Sequence, residues 1–250
     1  MSGLGKGLTV TACVIVALMM NPAVANADSV TYTVEPFDFD GVMGITFSVT
    51  QKQLVGTLCP CVKVPYPADG LHNDAGVAAL ADAPLRSGDT VLGFSLGSQV
   101  ISAYLAQHTP PPGVRFVLLG DTFAQNDKFV AAGQGIPADI ANKVILVARQ
   151  YDGWSDYPTN TASPNYELAM QNARAGAATI HDYVDARLDD PANVVTTRGN
   201  ITSVLIPTQH LPLNNGVDAE QRPLIDSAYD RPGPTPDQLA ASTRQQVGNH

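Results

Sequence analysis

Thr90-Val91-Leu92-Gly93-Phe94-Ser95-Leu96-Gly97 is the stretch on which the fold turns. Its first five residues form a short apolar run that reads as a strand, and Ser98 to Gln107 have helical character. Between the two lies Gly93-Phe94-Ser95-Leu96-Gly97, a G-x-S-x-G pattern in the strand-to-helix context of a nucleophile elbow. A turn this sharp strains the serine backbone and lifts its hydroxyl above the strand ends, and the flanking glycines avoid side-chain clashes that would close it.

Outward from this point the chain alternates. Apolar β-rich runs occur at Val30 to Phe39, Val62 to Pro65, Val114 to Leu119, Val144 to Ala148 and Ser203 to Ile206. Helical segments are expected at Thr46 to Leu54, Asp74 to Ala81 and, as one long stretch, Asn165 to Leu188. Several runs are apolar throughout, as strands buried on both faces of a parallel sheet are. The pattern predicts an α/β sandwich with right-handed crossovers. No internal repeat is visible. Residues 1–27 read as a secretory signal peptide: Lys6, an apolar run from Leu8 to Met20, and Ala25-Asn26-Ala27 before Asp28. The run is too short for a permanent anchor. The domain itself is expected over 28–229, and 230–250, with Pro232, Pro234 and Pro236, as a surface tail.

Of the 250 residues 15% are charged and 44% hydrophobic, which argues against both disorder and a coiled coil. A net charge of -9 leaves no footprint for nucleic acid or anionic membranes, and cleavage after Ala27 removes one lysine and no acid. That cleavage also removes Cys13. Cys59 and Cys61 stand one proline apart, spacing that would strain a disulfide, so they read as small residues at a strand edge. A disulfide framework is not expected.

A serine hydroxyl needs a base, and the base a carboxylate to hold its tautomer. On this kind of sheet the chain order is Ser, then Asp or Glu, then His. Asp152 follows the run Val144 to Ala148, with Asp156 as its rival four residues on, and His210 follows Ser203 to Ile206. His72 precedes the serine, His108 ends the helix after the elbow, His181 falls inside the long helical segment as a packing or surface residue, and His250 is terminal. The reading is a triad of Ser95, Asp152 and His210.

Residues 90–213 resemble the mycobacterial PE-PPE domain, a serine α/β-hydrolase group related to cutinases. The resemblance is carried by Ala148-Arg149-Gln150-Tyr151-Asp152-Gly153-Trp154-Ser155-Asp156-Tyr157-Pro158, by the elbow, by Asn172 and Gly176 leading to His181 and Tyr183, and by Pro207-Thr208-Gln209-His210-Leu211-Pro212-Leu213. It implies a cutinase-like three-layer sandwich around a mainly parallel sheet, and acyl-ester chemistry with no metal or cofactor. A signal peptide stands where such domains often carry a PE or PPE domain, so a protein of the cell envelope or exterior is expected, monomeric and in peripheral contact with envelope lipids. The glycine-rich turn of the family corresponds to Asp40-Gly41-Val42-Met43-Gly44. The oxyanion would be held by the Leu96 amide and one from Gly41 or Val42. Phe123 and Phe129 in the 121–139 connection, and Trp154, are candidate pocket walls or packing residues. Three functions fit: a secreted esterase of short to medium acyl chains, an envelope acyltransferase onto trehalose-type glycolipids, or a non-catalytic envelope protein.

Overall fold

The computed structural model describes residues 29–37, 50, 61–122, 135–213 and 218–246. In chain order the elements are β1 (Thr31–Val34), β2 (Cys61–Lys63), α1 (Asn73–Ala81), β3 (Thr90–Phe94), α2 (Leu96–Gln107), β4 (Arg115–Leu119), β5 (Lys143–Arg149), α3 (Tyr166–Thr179), β6 (Val194–Arg198), β7 (Ile201–Ile206), α4 (Asp218–Asp226) and α5 (Pro236–Gln246). The strands form a sheet in the order β2-β1-β3-β4-β5-β7-β6, parallel except for the β6 and β7 pair. This is an α/β fold with a mainly parallel centre.

The apolar runs are strands because both of their faces are covered. Val34, Val91, Phe116, Leu118 and Val144 on one face pack with Val77, Leu80, Val100, Ile101 and Leu105 of α1 and α2. The intervening Leu92, Phe94, Val117, Leu119 and Val147 on the other pack with Tyr183 and Ala186. From β1 the chain steps out to β2, then returns past β1 to β3 and continues through β4 to β5, so its winding reverses between β1 and β3. At such a switch point the connections leave neighbouring strands in opposite directions and open a crevice beyond their carboxyl ends. Ser95 follows β3 directly and emerges there.

The structure departs from the sequence reading in four places. The long helix stops at Thr179 and not at Leu188, because Asp182 turns the chain by accepting the Val184 amide at 2.9 Å. Strand β6 lies beyond it as the edge partner of β7, joined by Gly199 at φ 59° and Asn200, a two-residue glycine turn. The expected tail is partly helical: the Thr235 hydroxyl accepts the Gln238 amide at 3.2 Å and the Gln238 side chain accepts the Thr235 amide at 2.9 Å. That reciprocal capping box, with Pro236 at the first helical position, starts α5. Cys61, read from the sequence as an unbridged strand-edge residue, is disulfide-bonded to a cysteine outside the described residues. The signal peptide and most of the Thr46 to Leu54 helix also lie outside them.

Candidate active site

Ser95 has φ 52° and ψ −118°, a region an L-residue enters only at a cost of order 1–3 kcal/mol. What holds it there is close packing on either side. A Cβ on Gly97 would stand 2.0 Å from the Val34 carbonyl oxygen of β1, and one on Gly93 would stand 2.9 Å from the Ser98 nitrogen. The Ser95 amide donates to the Leu119 carbonyl at 2.9 Å, fixing the turn to the end of β4. Ser95 is the N-cap of α2 but makes no side-chain cap hydrogen bond, and the Leu96 amide opens the first turn, where no intrahelical acceptor exists.

Asp152 sits just past β5, in the turn that begins at Tyr151 with φ 70°. Its carboxylate is fully buried and accepts four hydrogen bonds. Oδ1 takes the Trp154 amide at 3.0 Å, and Oδ2 takes the Ser155 hydroxyl at 2.9 Å, the Tyr183 hydroxyl at 2.7 Å and His181 Nδ1 at 2.7 Å. A second close approach keeps this turn on α3: a Cβ on Gly153 would stand 2.1 Å from the Ala173 oxygen, and one on Gly176 1.9 Å from the Tyr151 oxygen.

The expected partnership of Asp152 with His210 is therefore not the one found. His210 is exposed and pairs with Asp218 at 2.8 Å. His181 occupies Asp152 instead. It lies just beyond the end of α3 and not within a helix, its ring is stacked on Phe94 at 5.1 Å, and Gly120 at the end of β4 leaves room for it, since a Cβ there would stand 2.6 Å from His181 Cε1. Phe94 immediately precedes Ser95, so the imidazole covers the carboxyl ends of β3 and β4 beside the elbow. Its Nε2 is buried and has no hydrogen-bond partner among the described residues. The order Ser, Asp, His is kept with His181. What hid it was the overlong helix.

Asp156 is structural. It accepts Arg231 through Nε at 2.5 Å and Nη2 at 2.6 Å, and the strained Tyr151 amide at 2.7 Å. Burial pushes its carboxyl above the usual range, and the Arg231 charge opposes that rise. Trp154 is half exposed, 6.2 Å from the His181 ring, with its indole N–H donating to Ala177. Gly41, Val42, Phe123 and Phe129 lie outside the described residues. Among the described residues no cluster of His, Cys, Asp and Glu is arranged to hold a metal ion, and no helix is long and apolar enough to cross a membrane.

Glu35, at the carboxyl end of β1, is fully buried with Oε2 on the Thr50 amide at 3.2 Å and Oε1 without a hydrogen-bond partner among the described residues. Burial raises its carboxyl, and the Thr50 contacts only partly oppose this. A raised folded value means stability is complete below the unfolded pKa and is lost as pH climbs towards the folded one. Glu35→Gln is thus expected to gain stability relative to the parent at about pH 7 compared with about pH 4. Thermal unfolding at both values checks it, and an equal effect at both would contradict it.

A strained serine elbow at the switch point of a mainly parallel sheet, with a buried Asp and its partly buried His partner beside it, defines the class: an α/β-hydrolase-like domain. The PE-PPE domain model matches residues 73–230, and the chain belongs to that lipase-like family. Searches of curated proteins and of solved structures returned no match.

Proposed function

We propose that the protein is a serine ester hydrolase in which Ser95 is the nucleophile, His181 the general base and Asp152 its orienting carboxylate. The observation that carries this reading is the 2.7 Å contact from His181 Nδ1 to fully buried Asp152, which leaves Nε2 as the free basic nitrogen beside the elbow. With Nδ1 donating to the carboxylate, the tautomer is fixed and the lone pair belongs to Nε2.

In the first step Nε2 takes the Ser95 proton as the hydroxyl oxygen attacks an ester carbonyl. The negative charge moves to the carbonyl oxygen, towards the Leu96 amide at the positive end of α2. Collapse expels the alcohol, which receives the proton from His181, and an acyl-Ser95 remains. Water, deprotonated by His181, then releases the acid and restores Ser95. Trp154 offers apolar surface to the substrate at the edge of the site, and the substrates are esters of short to medium acyl chains. Export through the segment 1–27 would place the enzyme outside the membrane, where such esters occur.

A chromogenic short-chain ester is the test. The wild-type chain is expected to release the chromophore with burst kinetics, and Ser95→Ala to reduce turnover to background with an unchanged circular dichroism spectrum. Near wild-type turnover by Ser95→Ala would overturn the reading.

A further inference from the structure

We propose that Tyr183 is a positioning residue of this site, its hydroxyl holding the Asp152 carboxylate against His181 and sharing the charge that the imidazole sees. The inference rests on the triad of Ser95, His181 and Asp152 and deepens it.

Tyr183 is completely buried, yet it carries a polar group directed at a carboxylate. Its hydroxyl lies 2.7 Å from Asp152 Oδ2, the same oxygen that His181 Nδ1 reaches at 2.7 Å. The Arg149 amide at the end of β5 donates to the phenol oxygen at 3.1 Å and the Ser155 hydroxyl lies 3.0 Å from it, while the phenol proton goes to Asp152 Oδ2. Burial and the neighbouring Asp152 charge raise the phenol well above its ordinary value, so it stays a donor. Gly120 admits both rings, since a Cβ there would also stand 3.1 Å from Tyr183 Cε2.

The consequence is electrostatic as well as steric. A carboxylate that accepts two hydroxyls and an amide has less charge to offer its histidine than one paired with the histidine alone. The surrounding ionisable groups are His181, Arg149, whose guanidinium lies 5.7 Å from the Tyr183 ring centre, Asp185 bonded to Arg149, and Asp156 behind Asp152. Removal of the phenol hydroxyl leaves these in place. More of the carboxylate charge then falls on the imidazole, which becomes easier to protonate.

The experiment is Tyr183→Phe in the full chain, with Ser155→Ala as the second variant because it removes the other hydroxyl on Oδ2 from a half-exposed loop. The pH dependence of kcat/KM on the chromogenic ester is recorded for each, together with kcat, KM and thermal stability. Tyr183→Phe is expected to move the acidic limb up by about one pH unit. Its kcat should fall by up to about a hundredfold with KM little changed. Ser155→Ala should move the limb the same way by less, and this decides the matter if Tyr183→Phe does not fold. A fall in kcat with an unmoved limb in both variants would mean a structural role and overturn the proposal, as would unchanged kinetics. If instead His181→Ala kept its activity, the triad itself would fail, an outcome separate from either.

Discussion

His181→Ala is expected to lower ester turnover by at least about 10⁴-fold, and His210→Ala to leave it within a few-fold of the parent. The two histidines differ in everything that matters to a base. His181 stacks on the residue before Ser95 and shares a 2.7 Å contact with a buried carboxylate that three other groups orient. His210 faces solvent, and its partner Asp218 opens α4 on the surface. Loss of the base removes most of the benefit of the nucleophile too, because the two act as one unit. Steady-state kinetics on a short-chain ester measure both variants. A large loss in His210→Ala with a small one in His181→Ala would return the base to the position expected from the sequence.

The second large effect concerns stability. Arg231→Ala is expected to cost about 3–5 kcal/mol, because it leaves the Asp156 carboxylate buried without its counter-ion. Both side chains are largely buried, the pairing is bidentate, and the Arg231 guanidinium also lies 4.4 Å over the Tyr229 ring. Asp156 further accepts the Tyr151 amide, so the pair supports the φ 70° residue that presents Asp152. The loss should therefore reach the site, and kcat should fall along with the urea midpoint. The double variant Asp156→Asn with Arg231→Met should recover much of the stability, since no lone charge remains buried. A cost below about 1 kcal/mol for Arg231→Ala would mark the pair as no more than a surface contact.

The elbow was legible because its chemistry is local. Gly93 and Gly97 are required by backbone that passes within a Cβ's reach, Ser95 stands between them at the strained φ of the turn, and the strands behind it are apolar through burial on both faces. Asp152 was legible for the same reason, as the residue just past a buried strand. His181 was not. Its partner is 29 residues away, and nothing within the stretch from Asn165 to Leu188 announces that the helix ends early except Thr179-Ile180 followed by Asp182, a weak stop. The helical segment 236–246 was missed for a different reason. Three prolines suggested a tail, whereas Thr235-Pro236-Asp237-Gln238 is a helix start whose signal lies in its order and not in its composition. The role of Asp156 depends on Arg231, 75 residues on, a pairing that only the fold brings about.

Labelling with a serine-directed fluorophosphonate, read by mass spectrometry of the intact chain and its peptides, tests the triad most directly. A single adduct on Ser95 is expected in the wild-type chain and in His210→Ala, formed at similar rates. No adduct is expected over the same period in His181→Ala or Ser95→Ala. An adduct on another residue, or labelling of Ser95 that survives His181→Ala and is lost in His210→Ala, would contradict it.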